Sequence, residues 1–291
     1  MSPALALRSC DRPELAAARN IGRCAVRSLH AELVLYPKPG LVSLRDNGAH
    51  PDMNAVTFMR SLFALRHYFV EMAIAGMRAA PMSTLRRLGI AAETRMLRAT
   101  GGINTHRGAI FTLGLFSAAA GRAWAESIAC SDAALRAIVA ERWRRELLAV
   151  PAPAAGVPSH GQQVAARYGV AGARGEAIRG FPAVFDIALP ALRDALARGA
   201  CQERARLHAF FALLAGVTDT NVLYRGGSEA LDCLQVSAAN FVAAGSVFAH
   251  DWLSRAEMLH RQCSVQRISP GGCADLLAAM WFVHQLQTGT Q

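Results

Sequence analysis

Residues 108–120, GAIFTLGLFSAAA, are among the most apolar segments of the 291-residue chain, together with residues 210–217. Both runs are shorter than the ~20 apolar residues that a membrane-spanning helix needs, so they predict helices buried in a folded core. On either side of them, apolar residues recur at the three- and four-residue spacing typical of amphipathic helices. This spacing covers residues 15–35, 56–77, 85–97, 110–120, 135–148, 187–196, 207–217, 231–248 and 276–286. Period-two alternation and β-α-β units are missing from the sequence, which therefore predicts an all-α fold.

The chain is predicted to form a single all-α catalytic domain over residues 1–291. Within it, residues 150–161 (VPAPAAGVPSHG) predict a long loop because they contain three prolines and two glycines. Residues 1–10 predict a flexible N-terminus without the basic-then-apolar order of a secretory signal. The seven cysteines are dispersed without a C-x-x-C pair, which favours reduced thiols. We therefore expect a cytoplasmic protein that does not enter a membrane.

The composition favours an anionic partner. The formal net charge is +10, while 53% of the residues are hydrophobic and 18% are charged. Such a balance suits nucleic acid, an acidic membrane surface or a polyphosphate. The arginines alternate with alanine and leucine at helical spacing and form no long basic tail, so most of them are expected on solvated helix faces. Charge alone leaves nucleic acid open as a partner.

Five glycine-rich polar segments interrupt the helical pattern. They span residues 36–54, 100–109, 173–182, 219–227 and 268–277. Glycines beside a helix start let backbone N–H groups approach phosphate oxygens, and the helix dipole favours negative charge there. Ser269-Pro270 predicts the start of a helix that runs to about Gln287, and Asn104 or Thr105 could cap the helix that ends near Gly121.

These segments supply side chains and amides suited to phosphate, and carboxylates suited to Mg²⁺. The residues predicted to bind substrate or phosphate are Lys38, Arg45, Gly101, Gly102, Asn104, Arg107, Asn221, Arg225, Gly226, Gly227, Ser269, Gly271 and Gly272. The predicted Mg²⁺ ligands are Asp46, Asp52, Asp219 and Asp275. Together they predict that the glycine-rich loops converge on one polyphosphate site that uses Mg²⁺.

Each piece also has an ordinary structural explanation. A Gly-Gly pair can be a tight connection only, and an aspartate near a helix N-terminus can be a cap only. His67, His208 and His284 are expected to be structural or surface residues, whereas His50 and His106 lie among glycines and charges that could tune them near neutral pH. No segment has the P-loop or the dinucleotide-binding pattern. The recurrence of such segments in one helical chain is what favours a functional site.

In their order along the chain, these segments resemble the triphosphoribosyl-dephospho-CoA synthase family. The matching stretches are PKPGLVSLRDNGAHPDMN at 37–54, TGGINTHRGAIFTLGL at 100–115, RGEAIRGFP at 174–182, DTNVLYRGG at 219–227 and ISPGGCADLLA at 268–278. The resemblance extends from about residue 31 to residue 286. The chain length and SHGQQV at 159–164 are more similar to the malonate decarboxylase branch than to the citrate lyase branch. Cys273 departs from the family pattern, in which we expect serine.

The resemblance implies an all-α enzyme that transfers the triphosphoribosyl group of ATP onto the ribose 2′-hydroxyl of 3′-dephospho-CoA and releases adenine. The product would be handed to a phosphoribosyl-dephospho-CoA transferase that acts on an acyl carrier protein. The transition state should have oxocarbenium character, which calls for a base, a proton donor and fixed phosphates. Asp52, Glu176 or Asp219 could act as the base, and His50 and His106 complete the predicted catalytic set.

Two other functions stay open from the residues. A Mg²⁺-dependent hydrolase of N-ribosyl or phosphoanhydride bonds would use a similar site. A basic helical nucleic-acid-binding protein would explain the charge but not the Asp, Asn and Gly motifs. The oligomeric state is also open, with a homodimer as the common case for enzymes of this size.

Overall fold

The structure, a computed structural model, describes residues 11–149 and 160–289, with the backbone alone at residues 160–162. The predicted flexible N-terminus lies outside the described residues, as does nearly all of the predicted loop at 150–161. Within these ranges there is no β-strand, so the predicted all-α class is confirmed.

Thirteen α-helices follow one another in the described part of the chain. They are α1 Arg12–Val34, α2 Ala55–Met77, α3 Met82–Thr100, α4 Arg107–Ala125, α5 Asp132–Arg142, α6 Arg144–Leu148, α7 His160–Tyr168, α8 Gly172–Ile178, α9 Leu189–Ala197, α10 Gln202–Gly216, α11 Thr220–Ala243, α12 Trp252–Val265 and α13 Gly271–Thr288. A π-helical turn, Ala183–Ala188, leads into α9, and a 3₁₀ turn, Ser246–Phe248, separates α11 from α12.

The apolar run at 108–120 forms the buried helix that the sequence predicts. It lies in α4, which packs against α1, α2, α3, α5 and α13. The backbones of α2 and α4 touch, since a Cβ atom on Gly76 would overlap the carbonyl oxygen of Ala118, and one on Gly121 would overlap that of Ala73. Such close helix packing requires glycine at both positions. Among the described helices, none combines the length and the apolarity that spanning a membrane requires.

Three of the differences from the predicted element boundaries bear on how the chain packs. The single helix expected at 135–148 is broken at Trp143, whose buried indole donates a hydrogen bond to the carbonyl of Ala80 at 3.2 Å. The helix expected from residue 231 begins earlier, at Thr220, and is kinked at Gly227, which has φ 73°. The last helix begins at Gly271, with Pro270 rather than Ser269 at the cap position.

Candidate active site

Asp219 joins the starts of two helices that are distant in sequence. Its Oδ1 accepts the amides of Asn221 at 2.8 Å and Val222 at 3.3 Å, at the first turn of α11. Its Oδ2 accepts the amide of Cys273 at 2.7 Å, at the first turn of α13, and the Cys273 thiol also bonds this carboxylate. The side chain is 2% exposed, and burial raises its pKa although the N–H bonds oppose that shift. Because both oxygens are engaged, Asp219 acts as a shared helix cap.

The predicted glycine pair at the start of α13 makes this approach possible. A Cβ atom on Gly272 would lie 3.0 Å from Asp219 Oδ2, and one on Gly271 would lie 3.0 Å from Asn221 Nδ2. Both distances are tighter than ordinary carbon contacts. The glycines therefore allow the N-termini of α11 and α13 to lie side by side.

Asp275 connects the start of α13 to the start of α4. Its carboxylate accepts the amide of Ala109, and a Cβ atom on Gly108 would overlap its Oδ2. Burial raises the pKa of Asp275 well above its ordinary value, and the neighbouring carboxylates of Glu32 and Asp219 raise it further. Three helix N-termini, those of α4, α11 and α13, therefore meet around two carboxyl groups. Aligned peptide dipoles at such ends attract anions.

Lys38 is directed at Glu32 rather than at solvent. Its side chain is 0% exposed, and Nζ donates to the Glu32 carbonyl at 2.6 Å and to the Glu32 carboxylate. Burial lowers the pKa of Lys38, and the ion pair opposes that shift. Glu32 is a site residue that sequence reasoning missed. The feature that could have identified Glu32 from the sequence is its position on the buried face of α1, beside Leu29 and Leu33.

His50, Ser269 and Arg225 form a second cluster beside this meeting point. His50 Nε2 lies 2.7 Å from Ser269 Oγ, and Arg225 lies 3.3 Å from His50 Nδ1. Because a guanidinium only donates, Nδ1 accepts and Nε2 carries the hydrogen that reaches Ser269. Burial lowers the pKa of His50 to about 4, with Arg225 adding to the effect. His50 is therefore a neutral donor to Ser269 near neutral pH, not a base that activates it.

Asp52 stands at the solvent side of this cluster. Its side chain is 56% exposed, and its Oδ1 is 3.9 Å from His50 Nδ1, too far for a hydrogen bond. Asp52, His50 and Ser269 have the residue types of a hydrolytic triad. The direction of the His50 hydrogen bonds does not support that chemistry, because Ser269 receives a proton donor instead of a base.

The loop at 36–54 is held to the segment before α13 by its backbone and to α12 by Asp46. A Cβ atom on Gly40, which has φ 67°, would overlap the carbonyl oxygen of Ile268. Asp46 Oδ1 lies 3.0 Å from His260 Nε2 and accepts the amide of Gly48 at 2.9 Å. Asp46 therefore holds the loop in place, and His260 is a second residue that the sequence pattern did not single out.

His106 is buried at the end of the loop that leads into α4. It is 3% exposed, and its Nδ1 lies 2.6 Å from Ser61 Oγ. Burial lowers the pKa of His106 to about 3, with a smaller contribution from Lys38. Its Nε2, like Thr105 Oγ1, is buried without a hydrogen-bond partner among the described residues. Unpaired buried polar atoms are costly, and these two lie just before Gly108, which contacts Asp275.

The other predicted residues of segment 100–109 contact α3 or the first turn of α4. Asn104 Oδ1 accepts the amide of Arg107 at 3.1 Å, and Arg107 pairs with Glu93 on α3. The amides of Gly101 and Gly102 both donate to the carbonyl of Leu97, so this glycine pair ends α3 instead of opening a helix. Only the Thr105–Ala109 part of the segment reaches the meeting point of α4, α11 and α13.

Two other predicted residues, Glu176 and Arg45, lie in structural contacts. Glu176 accepts the amide of Ala183 at 3.0 Å and pairs with Arg179 at 2.9 Å, so it caps the π-helical turn. The Arg45 guanidinium lies 4.4 Å from the centre of the Tyr36 ring.

Gly226 and Gly227 lie at the kink of α11, where Gly226 packs against Ile268. The predicted residues of segments 36–54, 219–227 and 268–277 are therefore brought together, whereas Glu176 serves a separate turn.

The predicted Mg²⁺ ligands differ in whether their carboxylate oxygens are free to bind a cation. Among the described residues, no three His, Cys, Asp or Glu side chains are grouped so that they could hold a metal ion. Mg²⁺ is usually bound through one or two carboxylates together with substrate phosphates. Both oxygens of Asp219 and Oδ1 of Asp46 are engaged by neighbours, whereas Asp52 presents an exposed carboxylate beside His50 and fits that mode of binding.

Comparison with known proteins gives a consistent result. Residues 18–291 match the sequence profile of the ATP:dephospho-CoA triphosphoribosyl transferase family. A probable 2-(5″-triphosphoribosyl)-3′-dephosphocoenzyme-A synthase of Acinetobacter calcoaceticus is 37% identical over 260 residues, 89% of this chain and 88% of the relative. Proteins of the same name from Stutzerimonas stutzeri and Azotobacter vinelandii are 41% and 40% identical, over 93% and 97% of this chain and 92% and 95% of theirs. No solved structure matches the chain.

Proposed function

This chain belongs to the ATP:dephospho-CoA triphosphoribosyl transferase family, and from that premise we propose that its reaction takes place where α4, α11 and α13 meet. The chain is a transferase that moves the 5-triphosphoribosyl group of ATP onto the ribose 2′-hydroxyl of 3′-dephospho-CoA and releases adenine. The location is supported by one observation: Asp219 and Asp275 tie three helix N-termini to one place.

Asp275 is our candidate for the acid–base group. In the reaction, a bond forms between the acceptor 2′-oxygen and C1 of the ATP ribose, and the bond from C1 to adenine breaks. The hydroxyl proton must be taken up, and the departing adenine must be protonated. A carboxyl group with a raised pKa is suited to proton exchange near neutral pH. Asp275 has such a pKa and is half-buried, whereas Asp219 is committed to capping.

The two phosphate chains would be held by complementary groups. The N-terminal turns of α4, α11 and α13 offer dipoles for one chain, and Arg225 with the Ser269 hydroxyl offers a cation and a donor for the other. Since oxocarbenium-like transition states gain from fixed positioning of both reactants, these groups contribute by orientation. The unpaired His106 Nε2 would find its partner in bound substrate.

Mg²⁺ is proposed as the companion of the ATP phosphates, with Asp52 as the carboxylate that would contact it. It would neutralise phosphate charge and fix the triphosphate. The assignment of Asp52 as this ligand is supported by the exposure of its carboxylate and by its position beside the His50–Arg225 pair.

The fate of the product is a further part of the proposal. We propose that it passes to a phosphoribosyl-dephospho-CoA transferase acting on an acyl carrier protein, and that this carrier belongs to malonate decarboxylase. The support is the resemblance of residues 159–164 to that branch. A homodimer and a cytoplasmic location stay predictions from the sequence.

The test is incubation of the purified chain with ATP, Mg²⁺ and 3′-dephospho-CoA, with adenine and the product mass measured together. We expect adenine and triphosphoribosylated product in equal amounts, and neither when the acceptor is left out. Adenine or phosphate released without the acceptor would instead identify a hydrolase. Salt-sensitive binding to random duplex DNA, with no stabilisation by ATP and Mg²⁺, would indicate a nucleic-acid-binding protein.

A further inference from the structure

A surface groove runs between α11 and α12, and its lining includes Ile268, the residue before Ser269. It consists of two adjoining hollows with volumes of about 240 Å³ and 270 Å³. The hollows share Ser237, Leu259 and Gln262, so they adjoin one another along the groove. Small-molecule sites usually have volumes of about 300–1,000 Å³, so a ligand of that size would need both hollows.

One end of the groove adjoins the Arg225–His50–Ser269 cluster. Ile268 lines the first hollow and directly precedes Ser269, whose hydroxyl contacts His50. Arg225 donates to the carbonyl of Arg267 at 3.3 Å, and the neighbouring Gly226 packs against Ile268. Arg225 and the first hollow therefore both contact the 267–268 segment, which places a phosphate bound at Arg225 close to the groove.

The lining combines an apolar floor with a polar rim. The floor is formed by buried side chains, namely Leu234, Phe241, Leu259, Cys263 and Ile268. The rim carries amide and hydroxyl groups, from Ser237, Asn240, Gln262 and Gln266, and the guanidinium of Arg255. This pattern suits a flexible ligand that has both methylene and amide groups.

We propose that the groove holds the pantetheine arm of 3′-dephospho-CoA. In this acceptor the diphosphate lies between the reacting ribose and the arm, which carries a dimethyl group, two amides and a thiol. The order Asp275, then Arg225 and Ser269, then the groove places each part of the acceptor beside matching chemistry. The inference rests on the proposed function, because it assigns a position to one of that reaction's substrates.

The length of the groove also matches the length of the pantetheine arm. From Ala230 to Phe241, the α11 residues that line the groove extend roughly 17 Å at the helical rise of about 1.5 Å per residue. An extended arm of about a dozen bonds spans roughly 15 Å. The groove is therefore long enough to take the whole arm.

The test combines Ser237→Trp, which fills the middle of the groove, with Ala239→Trp as a control on the same helix. Ala239 is exposed and does not line either hollow. For Ser237→Trp we expect the KM for 3′-dephospho-CoA to rise by about tenfold or more, because the arm loses its apolar contact. The KM for ATP should stay unchanged in both variants.

A measurement on the wild-type chain avoids dependence on the fold of the variant. Cys233 lines the groove and is exposed, as is Cys201 at the start of α10, away from the groove. S-methylated dephospho-CoA should slow alkylation of Cys233 by iodoacetamide, whereas ADP, which lacks the arm, should not. Neither compound should protect Cys201.

Three outcomes distinguish the possibilities. If the wild-type chain transfers but Ser237→Trp keeps its KM for the acceptor and Cys233 stays unprotected, the groove does not bind the arm. If Ser237→Trp changes only the oligomeric state, the groove is a contact between two copies and our assignment is wrong. If the wild-type chain makes no product from ATP and 3′-dephospho-CoA, the proposed function itself fails, whatever happens at Cys233.

Discussion

At the scale of single residues, the two aspartates near the start of α13 have different environments and different roles. Asp219 accepts three backbone amides and a thiol, so its oxygens are saturated. Asp275 accepts the amide of Ala109 and lies near other carboxylates. Burial first, and then these neighbouring carboxylates, raise the pKa of Asp275, which makes it the group suited to proton transfer. The sequence predicts both as metal ligands and Asp219 also as a possible base, and it cannot identify their different environments because those arise from tertiary contacts.

Cys273, the departure from the family pattern, is explained by the same contacts. It is fully buried, its amide and thiol both bond Asp219, and burial raises the pKa of the thiol. The side chain at position 273 therefore contacts the Asp219 carboxylate and is not placed to contact a substrate phosphate. Serine and cysteine can both donate such a hydrogen bond, so the exchange preserves the cap.

The raised pKa of Asp275 predicts how Asp275→Asn changes stability with pH. Since the folded protein holds this proton more tightly than the unfolded chain does, wild-type stability should fall as pH rises from the ordinary value of 3.8 through the folded-state pKa. Asparagine keeps the shape and can still accept the Ala109 amide, but it carries no charge. We expect the variant to be the more stable protein at alkaline pH and the difference to vanish toward pH 4. Urea unfolding over that range measures it, and parallel curves for the two proteins would contradict it.

At the scale of elements, the spacing of apolar residues predicts where the helices form, and glycines allow two of them to pack closely. The nine apolar stretches predict most of the long helices, including buried α4. They do not predict α12, which has 14 residues, or the shorter helices α7 and α8, which have nine and seven. Nor does spacing reveal the break at Trp143, because the side chain turns inward to bond a carbonyl on another element. Such breaks depend on tertiary partners.

Two glycine-to-alanine substitutions test the packing of the elements. Gly76→Ala would force a methyl group into the carbonyl of Ala118 and should destabilise the protein by about 1–3 kcal/mol. Gly89→Ala places its methyl group at ordinary distances, 3.7 Å from Tyr68 Oη and 3.9 Å from Ile110 Cγ2. Because alanine favours the helix, Gly89→Ala should stabilise by about 0.5–1 kcal/mol. Chemical unfolding compares them, and a Gly76→Ala protein as stable as Gly89→Ala would mean that the α2–α4 contact is not close.

At the scale of the whole molecule, four of the five glycine-rich segments meet although they are far apart in sequence. The loop at 36–54 reaches Ile268, segment 100–109 reaches Asp275, and segment 219–227 reaches Cys273. Motif order predicts that these segments belong to one site. Motif order could not reveal Glu32 or His260, because each lies within an ordinary helix and acquires its role from Lys38 or Asp46. The +10 charge is consistent with a molecule that binds two polyphosphates.

The central claim is that transfer takes place at Asp275, where three helix N-termini meet. The most direct test is the rate of adenine release from ATP and 3′-dephospho-CoA by Asp275→Asn, with Asp232→Asn, an exposed change on α11, as the matched control. Loss of an acid–base group should lower kcat by about 100-fold or more, while the variant stays folded in the unfolding experiment above. The control should turn over at the wild-type rate. Wild-type turnover by folded Asp275→Asn would contradict the account.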